Sequence, residues 1–65
     1  MKAILFSKDS YSRNMLDRMT DYELNGTMLE DASNTFAYDD IKSFETDLND
    51  GIVDVKNNYV KFVKD

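Results

Sequence analysis

The alternation of apolar and polar residues is clearest at the two ends of the chain. In the segment 2–6, which begins with Lys2, both alternating faces are apolar, with Ala3 and Leu5 on one and Ile4 and Phe6 on the other; this predicts a strand buried in the middle of a sheet. Residues 52–63 read as two short strands that meet at Asn57-Asn58. A two-residue type I′ turn needs positive φ twice, and Asn tolerates it well. The pattern therefore predicts a C-terminal β-hairpin at 52–63.

The hairpin register sorts its side chains onto two faces. Asp54 lies opposite Lys61, which is a favourable cross-strand pair. Ile52, Tyr59 and Val63 share one face and are exposed unless something covers them, so they favour a homodimer or a partner contact. The other face is apolar throughout and consists of Val53, Val55, Val60 and Phe62.

A first helix is predicted over residues 11–22. Apolar residues recur there at spacings of four, four and three, with Leu16 alongside, which is typical of a helix with one buried stripe. The preceding segment 7–10 is polar and supplies good N-cap side chains. The stripe consists of Tyr11, Met15, Met19 and Tyr22.

A second helix is predicted over residues 39–49. Asp39 and Asp40 stand where negative charge favours a helix start. Gly51 is expected to end this helix. The buried stripe is expected to be Ile41, Phe44 and Leu48.

Residues 23–38 allow more than one interpretation. Asn25-Gly26 fits either a helix C-cap or the turn of a hairpin. Thr27 to Glu30 also fits a capping box that would begin a short helical turn. We favour two short strands, near 27–29 and 35–38.

The predicted element order is β-α-β-β-α-β-β in one small α+β domain that covers residues 1–65. We expect a small antiparallel sheet with two helices on one face. In element order this resembles a reduced ferredoxin-like split βαββαβ fold with an extra terminal strand. The resemblance implies a fold only, because no motif accompanies it.

Composition places the chain near the lower size limit for independent folding. It has 65 residues, 42% of them hydrophobic, and no Cys, so the core must form without disulfides. No apolar run approaches the ~20 residues that span a bilayer. The stretch 3–6 is too short for the apolar region of a signal peptide. We expect a cytoplasmic protein.

The residues of common catalytic and metal sites are missing. Without His or Cys the usual general base, thiol nucleophile and transition-metal ligands are absent, and the two Gly residues form no phosphate-binding loop. The segment 47–51 suggests a calcium loop, but Gly51 falls at position 5 of the EF-hand pattern, which requires Gly at position 6. We expect neither an enzyme nor a bound metal or cofactor.

Negative charge is concentrated in the middle of the chain. The net charge is −5, yet residues 21–54 carry ten acidic residues and one Lys, a net of −9. Such a segment attracts basic surfaces and repels nucleic acid and anionic membranes. We expect one exposed negative face built from Glu30, Asp31, Asp39, Asp40, Glu45, Asp47 and Asp50.

A carboxylate face of this kind suits the basic groove of a nucleic-acid-binding protein, where it mimics phosphate charge. In size and charge the chain resembles small inhibitors encoded by phages and mobile elements, which implies an acidic protein-binding module. The alternative is a structural or regulatory homo-oligomer in which the acidic residues only provide solubility. Surplus apolar surface for a partner is expected at Met28, Leu29 and Phe36.

Overall fold

The N-terminal strand is the centre of the sheet, as its sequence predicts. The computed structural model describes residues 1–65, and its sheet has the order β2-β1-β3 with both pairings antiparallel. Residues 3–6 are buried on both faces of β1. The small α+β fold is therefore confirmed. Its elements are β1 (Lys2–Ser7), α1 (Arg13–Asp17), α2 (Asp21–Glu30), β2 (Thr35–Tyr38), α3 (Ile41–Asn49) and β3 (Asn58–Val63).

The helices lie on opposite faces of the sheet, so the prediction of two helices on one face is wrong. Ile4 and Phe6 point toward α1 and α2, on what we name the α2 face. Ala3 and Leu5 point toward α3, on the α3 face. Because β1 is apolar on both sides, each face needs its own cover.

The predicted helix over 11–22 is two helices. Ser12 caps α1 with its hydroxyl, and Thr20 then has extended backbone and begins α2. Thr20 and Glu23 form a capping box, in which each side chain accepts the backbone N–H of the other residue, at 3.2 and 3.0 Å. The break changes the stripe, because Tyr22 is 88% exposed and the core positions are Leu16 and Leu24.

The predicted strand near 27–29 is also wrong, since these residues belong to α2. Gly26 lies inside the helix and has neither a C-cap nor a turn conformation. The strand predicted at 35–38 is confirmed as β2. The helix predicted over 39–49 is confirmed as α3, with Asp40 as its N-cap.

The C-terminal hairpin does not form. β3 pairs with β1 over six residue pairs, from Ser7 with Asn58 to Lys2 with Val63. No non-glycine residue has positive φ, so the Asn-Asn turn is absent. The predicted first strand of the hairpin has its backbone donors engaged elsewhere: those of residues 52 and 53 bond to the Asp47 carbonyl, and those of 56 and 57 to the Asp54 carboxylate.

The hairpin faces change with the pairing. Val63 is fully buried on the α2 face, although the hairpin register predicted that it would be exposed. Lys61 pairs with Asp17 at 3.0 Å, so the predicted contact with Asp54 is wrong. With three strands, one of them central, the sheet also lacks the fourth strand of a ferredoxin-like fold.

Candidate functional site

Five of the seven predicted site residues lie in or beside α3. Asp39 and Asp40 precede the helix, and Asp50 is its C-cap. The Asp40 carboxylate accepts the Ser43 backbone N–H at 2.8 Å and the Ser43 hydroxyl at 3.0 Å. These bonds, the backbone one first, lower the pKa of Asp40. Asp40 is therefore an ionised cap as well as a surface charge.

The two acidic residues inside α3 point away from each other. Successive helical residues are about 100° apart, so Glu45 and Asp47 lie on opposite flanks of the helix. Asp47 is half-buried and accepts the Tyr38 hydroxyl at 2.8 Å. This hydrogen bond raises the pKa of Tyr38. Glu45 is exposed and bonds to no other side chain.

The other two predicted residues belong to the opposite side of the sheet. Glu30 is the last residue of α2 and is exposed, and Asp31 is the half-buried C-cap. Asp31 accepts hydrogen bonds from the Tyr11 hydroxyl and the Asn34 side chain. The structure thus brings five of the seven residues to the α3 layer and places Glu30 and Asp31 on the α2 layer. No three acidic side chains converge as a metal site would require.

None of these carboxylates is neutralised by an ion pair. The structure contains two ion pairs, Lys61 with Asp17 and the Met1 ammonium with Asp65. Neither involves any of the ten acidic residues of segment 21–54. The net charge of −9 on that segment is therefore free to act on a partner.

An open apolar groove lies on the α3 face next to these charges. Its volume is about 300 Å³. Phe36 and Ile52 are 61% and 65% exposed there. The sequence predicted that Phe36 would be exposed apolar surface. No pattern in the sequence predicted the groove. The lining residues are Leu5, Phe36, Tyr38, Ile52, Val53, Asp54 and Asn58.

Asp54 provides a fixed negative charge in the groove wall. Its carboxylate accepts the backbone N–H groups of Lys56 and Asn57, both at 3.0 Å, and the Asn57 side-chain amide at 2.9 Å. The two Asn57 bonds, the side-chain one first, lower the pKa of Asp54. No Lys or Arg lines the groove. The site therefore combines apolar walls with an ionised carboxylate.

Aromatic rings cross the α3 face from one sheet edge to the other. Phe36 meets Tyr38 edge-to-face at 5.1 Å, Tyr38 meets Phe44 at 5.6 Å, and Phe44 meets Phe62 at 5.7 Å. Phe44 is buried under α3, while Phe36 and Phe62 are more than half exposed. The apolar layer thus reaches solvent at both edges.

Comparison with known proteins provides no relative for this chain, because it matches no family model, no curated protein and no solved structure. None of the three helices combines the length and the apolar character that crossing a membrane requires.

Proposed function

We propose that the protein is a small cytoplasmic protein-binding module that presents the carboxylates around α3 to the basic surface of a nucleic-acid-binding protein. It acts as an inhibitor of the kind encoded by phages and mobile elements, by competing electrostatically with nucleic acid. The observation that supports this proposal is the set of five acidic residues on α3 and its ends without a single ion pair. Lys42 is the only basic residue of that segment.

The charge density sets a limit on what electrostatics alone achieves. Asp40 and Asp50 bracket a nine-residue helix, and ten residues of helix span about 15 Å. Over the same length a DNA duplex carries about nine phosphate charges on its two strands. Five carboxylates, of which Glu45 and Asp47 face opposite sides of the helix, are only a partial substitute for that charge. They steer the encounter and orient the partner, whereas tight binding requires apolar contact in addition.

Binding is a better proposal than catalysis for these residues. The carboxylates have no His or Cys beside them, and they spread around α3 instead of facing one another in a cleft. Two-carboxylate catalysis requires a sheltered pair with differently tuned environments. Self-association through Ile52, Tyr59 and Val63 is the weaker alternative, because Val63 is part of the core.

A charge-matched pair of variants tests the proposal. The immobilised protein captures nucleic-acid-binding proteins from a cell lysate, and the Kd of a purified captured protein is measured at several salt concentrations. We expect the affinity to fall as salt rises. The double variant Asp39→Asn with Glu45→Gln should weaken binding about tenfold, since two carboxylates of the contact surface are lost.

The control is Asp9→Asn with Glu30→Gln, which changes the net charge by the same amount. Both residues are exposed and lie outside the α3 layer. Binding of this variant should change less than about twofold, because only the distant field is altered. Equal losses in the two double variants, or a Kd that is independent of salt, contradict the proposal.

A further inference from the structure

The two edges of the sheet differ in what they offer to an incoming strand. The residues of β2, Thr35–Tyr38, make backbone hydrogen bonds only with β1. In an antiparallel ladder alternate residues point their N–H and C=O groups away from the neighbouring strand, so β2 leaves such groups unpaired at its outer edge. The outer edge of β3 is equally open, since nothing bonds to the backbone of residues 58–63 from outside β1.

Charge distinguishes the two edges. Lys61 lies within β3, and Lys56 and Lys64 flank it. β2 has no charged residue, and it is followed at once by Asp39 and Asp40. Lys residues on an edge strand oppose strand addition, and β2 lacks this protection. Lys61 is paired with Asp17, so Lys56 and Lys64 carry the free positive charge near β3, and a basic segment is attracted more strongly to β2 than to β3.

The apolar groove begins at β2 and crosses the α3 face over Leu5 of β1 to Asn58 at the start of β3. Phe36 and Tyr38 form its wall on β2, and both side chains are on the α3 face. A strand added to β2 places every second side chain on that same face. The groove volume of about 300 Å³ is at the low end for small-molecule sites, so the groove suits one or two side chains better than a cofactor.

We propose, on the basis of the proposed function, that an extended basic segment of the partner protein adds as a fourth strand to β2 and packs an apolar side chain against the exposed Phe36, at the β2 end of the groove. The backbone of the segment pairs with the free edge of β2, which is the recognition mode known as β-augmentation. A lysine or arginine two positions from that apolar side chain lies on the same face of the added strand, toward Asp47, whose carboxylate accepts the Tyr38 hydroxyl. The apolar side chain contributes the affinity that the partial charge mimicry lacks.

A synthetic peptide tests this without knowledge of the partner. The probe, named the Lys-Val peptide, has the sequence Ser-Lys-Ser-Val-Ser-Val-Ser-Lys, which places its Lys and Val side chains on one face of a strand. It is titrated into the full chain and followed by two-dimensional amide NMR. We expect shifts at residues 35–38 and in the groove, together with slower amide exchange in β2. A matched peptide in which both Val residues are replaced by Ser should bind about tenfold more weakly, because it lacks the apolar side chains.

Phe36→Ala and Phe62→Ala provide a matched pair of variants. Both side chains are more than half exposed and lie on the α3 face, at the β2 and β3 edges respectively. Phe36→Ala should reduce affinity for the Lys-Val peptide about tenfold, and Phe62→Ala less than about twofold. The amide spectrum of each variant alone is recorded first, to check that its fold is retained.

Four results overturn the inference: equal effects of the two variants, shifts at residues 58–63 instead of 35–38, equal binding of the two peptides, or the same shifts on concentration of the protein alone. The last result identifies a second copy of the chain as the occupant. The proposed function and the strand addition can be tested independently of each other. If Asp39→Asn with Glu45→Gln weakens the captured partner but Phe36→Ala does not, the acidic module stands and strand addition is excluded.

Discussion

The two faces of the sheet share the strand β1 but differ in how completely they are covered. On the α2 face, two helices close over Ile4 and Phe6, and both are fully buried. On the α3 face, one nine-residue helix covers Ala3 and Leu5 but leaves Phe36 exposed at the edge. A chain of 65 residues buries a smaller share of its surface on folding than a larger domain does. We infer that the α2 face supplies most of the stability and that the α3 face is the surface available to a partner.

A hydrogen bond of the same kind occurs on each face, with different electrostatics. Tyr11 donates to Asp31 on the α2 face, and Tyr38 donates to Asp47 on the α3 face. Burial is the main reason that the pKa of Tyr11 is raised, to about 12. For Tyr38 the hydrogen bond to Asp47 is the main cause of the raised pKa. The α2 face is therefore the less solvated of the two environments.

The largest expected effect is the difference in stability lost when one Phe is truncated on each face. Phe6→Ala removes a fully buried ring and should cost about 3–5 kcal/mol of unfolding free energy. A domain of this size has about 3–10 kcal/mol in total, so the variant should be largely unfolded. Phe36→Ala should cost less than about 1 kcal/mol, because its ring is 61% exposed. Urea unfolding followed by circular dichroism measures both.

Phe6→Leu keeps this comparison measurable if Phe6→Ala does not fold. It removes three buried carbons and should cost about 1–2 kcal/mol. If Phe36→Ala costs as much as Phe6→Leu, the α3 face is as important for stability as the α2 face, and the division of roles between the faces is wrong.

A smaller effect is expected at the junction of α1 and α2. Thr20→Ala removes both Thr20 side-chain bonds of the capping box and should lower the unfolding free energy by about 1 kcal/mol. Thr20→Ser, which keeps the hydroxyl, is the control and should retain most of the stability. Hydrogen exchange locates the effect: we expect Thr20→Ala to accelerate amide exchange more in α2 than in α3.

The counterpart on the α3 face is Asp40→Ala. It removes the cap bonds to Ser43, and we expect faster exchange in α3 with little change in α2. If either cap variant speeds exchange equally on both faces, the faces open as one unit instead of separately.

The sequence predicted the central strand well, because a strand that is apolar on both faces is stable only between two neighbours. It also predicted α3, whose Asp40 cap and Gly51 end are local signals, and Gly51 has the positive φ of 76° that favours glycine. The break at Thr20 had a readable signal, Thr followed three residues later by Glu23, but the longer apolar stripe obscured it.

The pairing of β3 could not be read from periodicity. Alternation shows which residues share a face, and it correctly grouped Val60 with Phe62 and separated them from Tyr59 and Val63. It does not show which strand is the neighbour. The same alternation fits a local hairpin and pairing to β1. In the structure the backbone N–H groups of Lys56 and Asn57 bond to the Asp54 carboxylate, so the first strand of the hairpin does not form. The groove depends on that nonlocal result, so the sequence indicated only the exposed Phe36.

The last expected effect appears only at alkaline pH and is a loss of stability that depends on Tyr11. Its folded-state pKa of about 12 exceeds the unfolded value of about 10, so the neutral phenol stabilises the fold below pH 10 and this contribution is lost as the pH rises toward 12. The phenyl ring introduced by Tyr11→Phe cannot ionise, so the urea midpoint of this variant should fall less steeply than that of the wild type between pH 10 and 12. Tyr38→Phe is the comparison: the pKa of Tyr38 is raised as well, mainly by its hydrogen bond to Asp47, so this variant should also fall less steeply than the wild type, but by a smaller margin than Tyr11→Phe. Absorbance at 295 nm follows ionisation directly, and the last tyrosine to ionise should be missing from the Tyr11→Phe titration. Indistinguishable curves for the two variants would mean that the α2 face shields its phenol no better than the α3 face does.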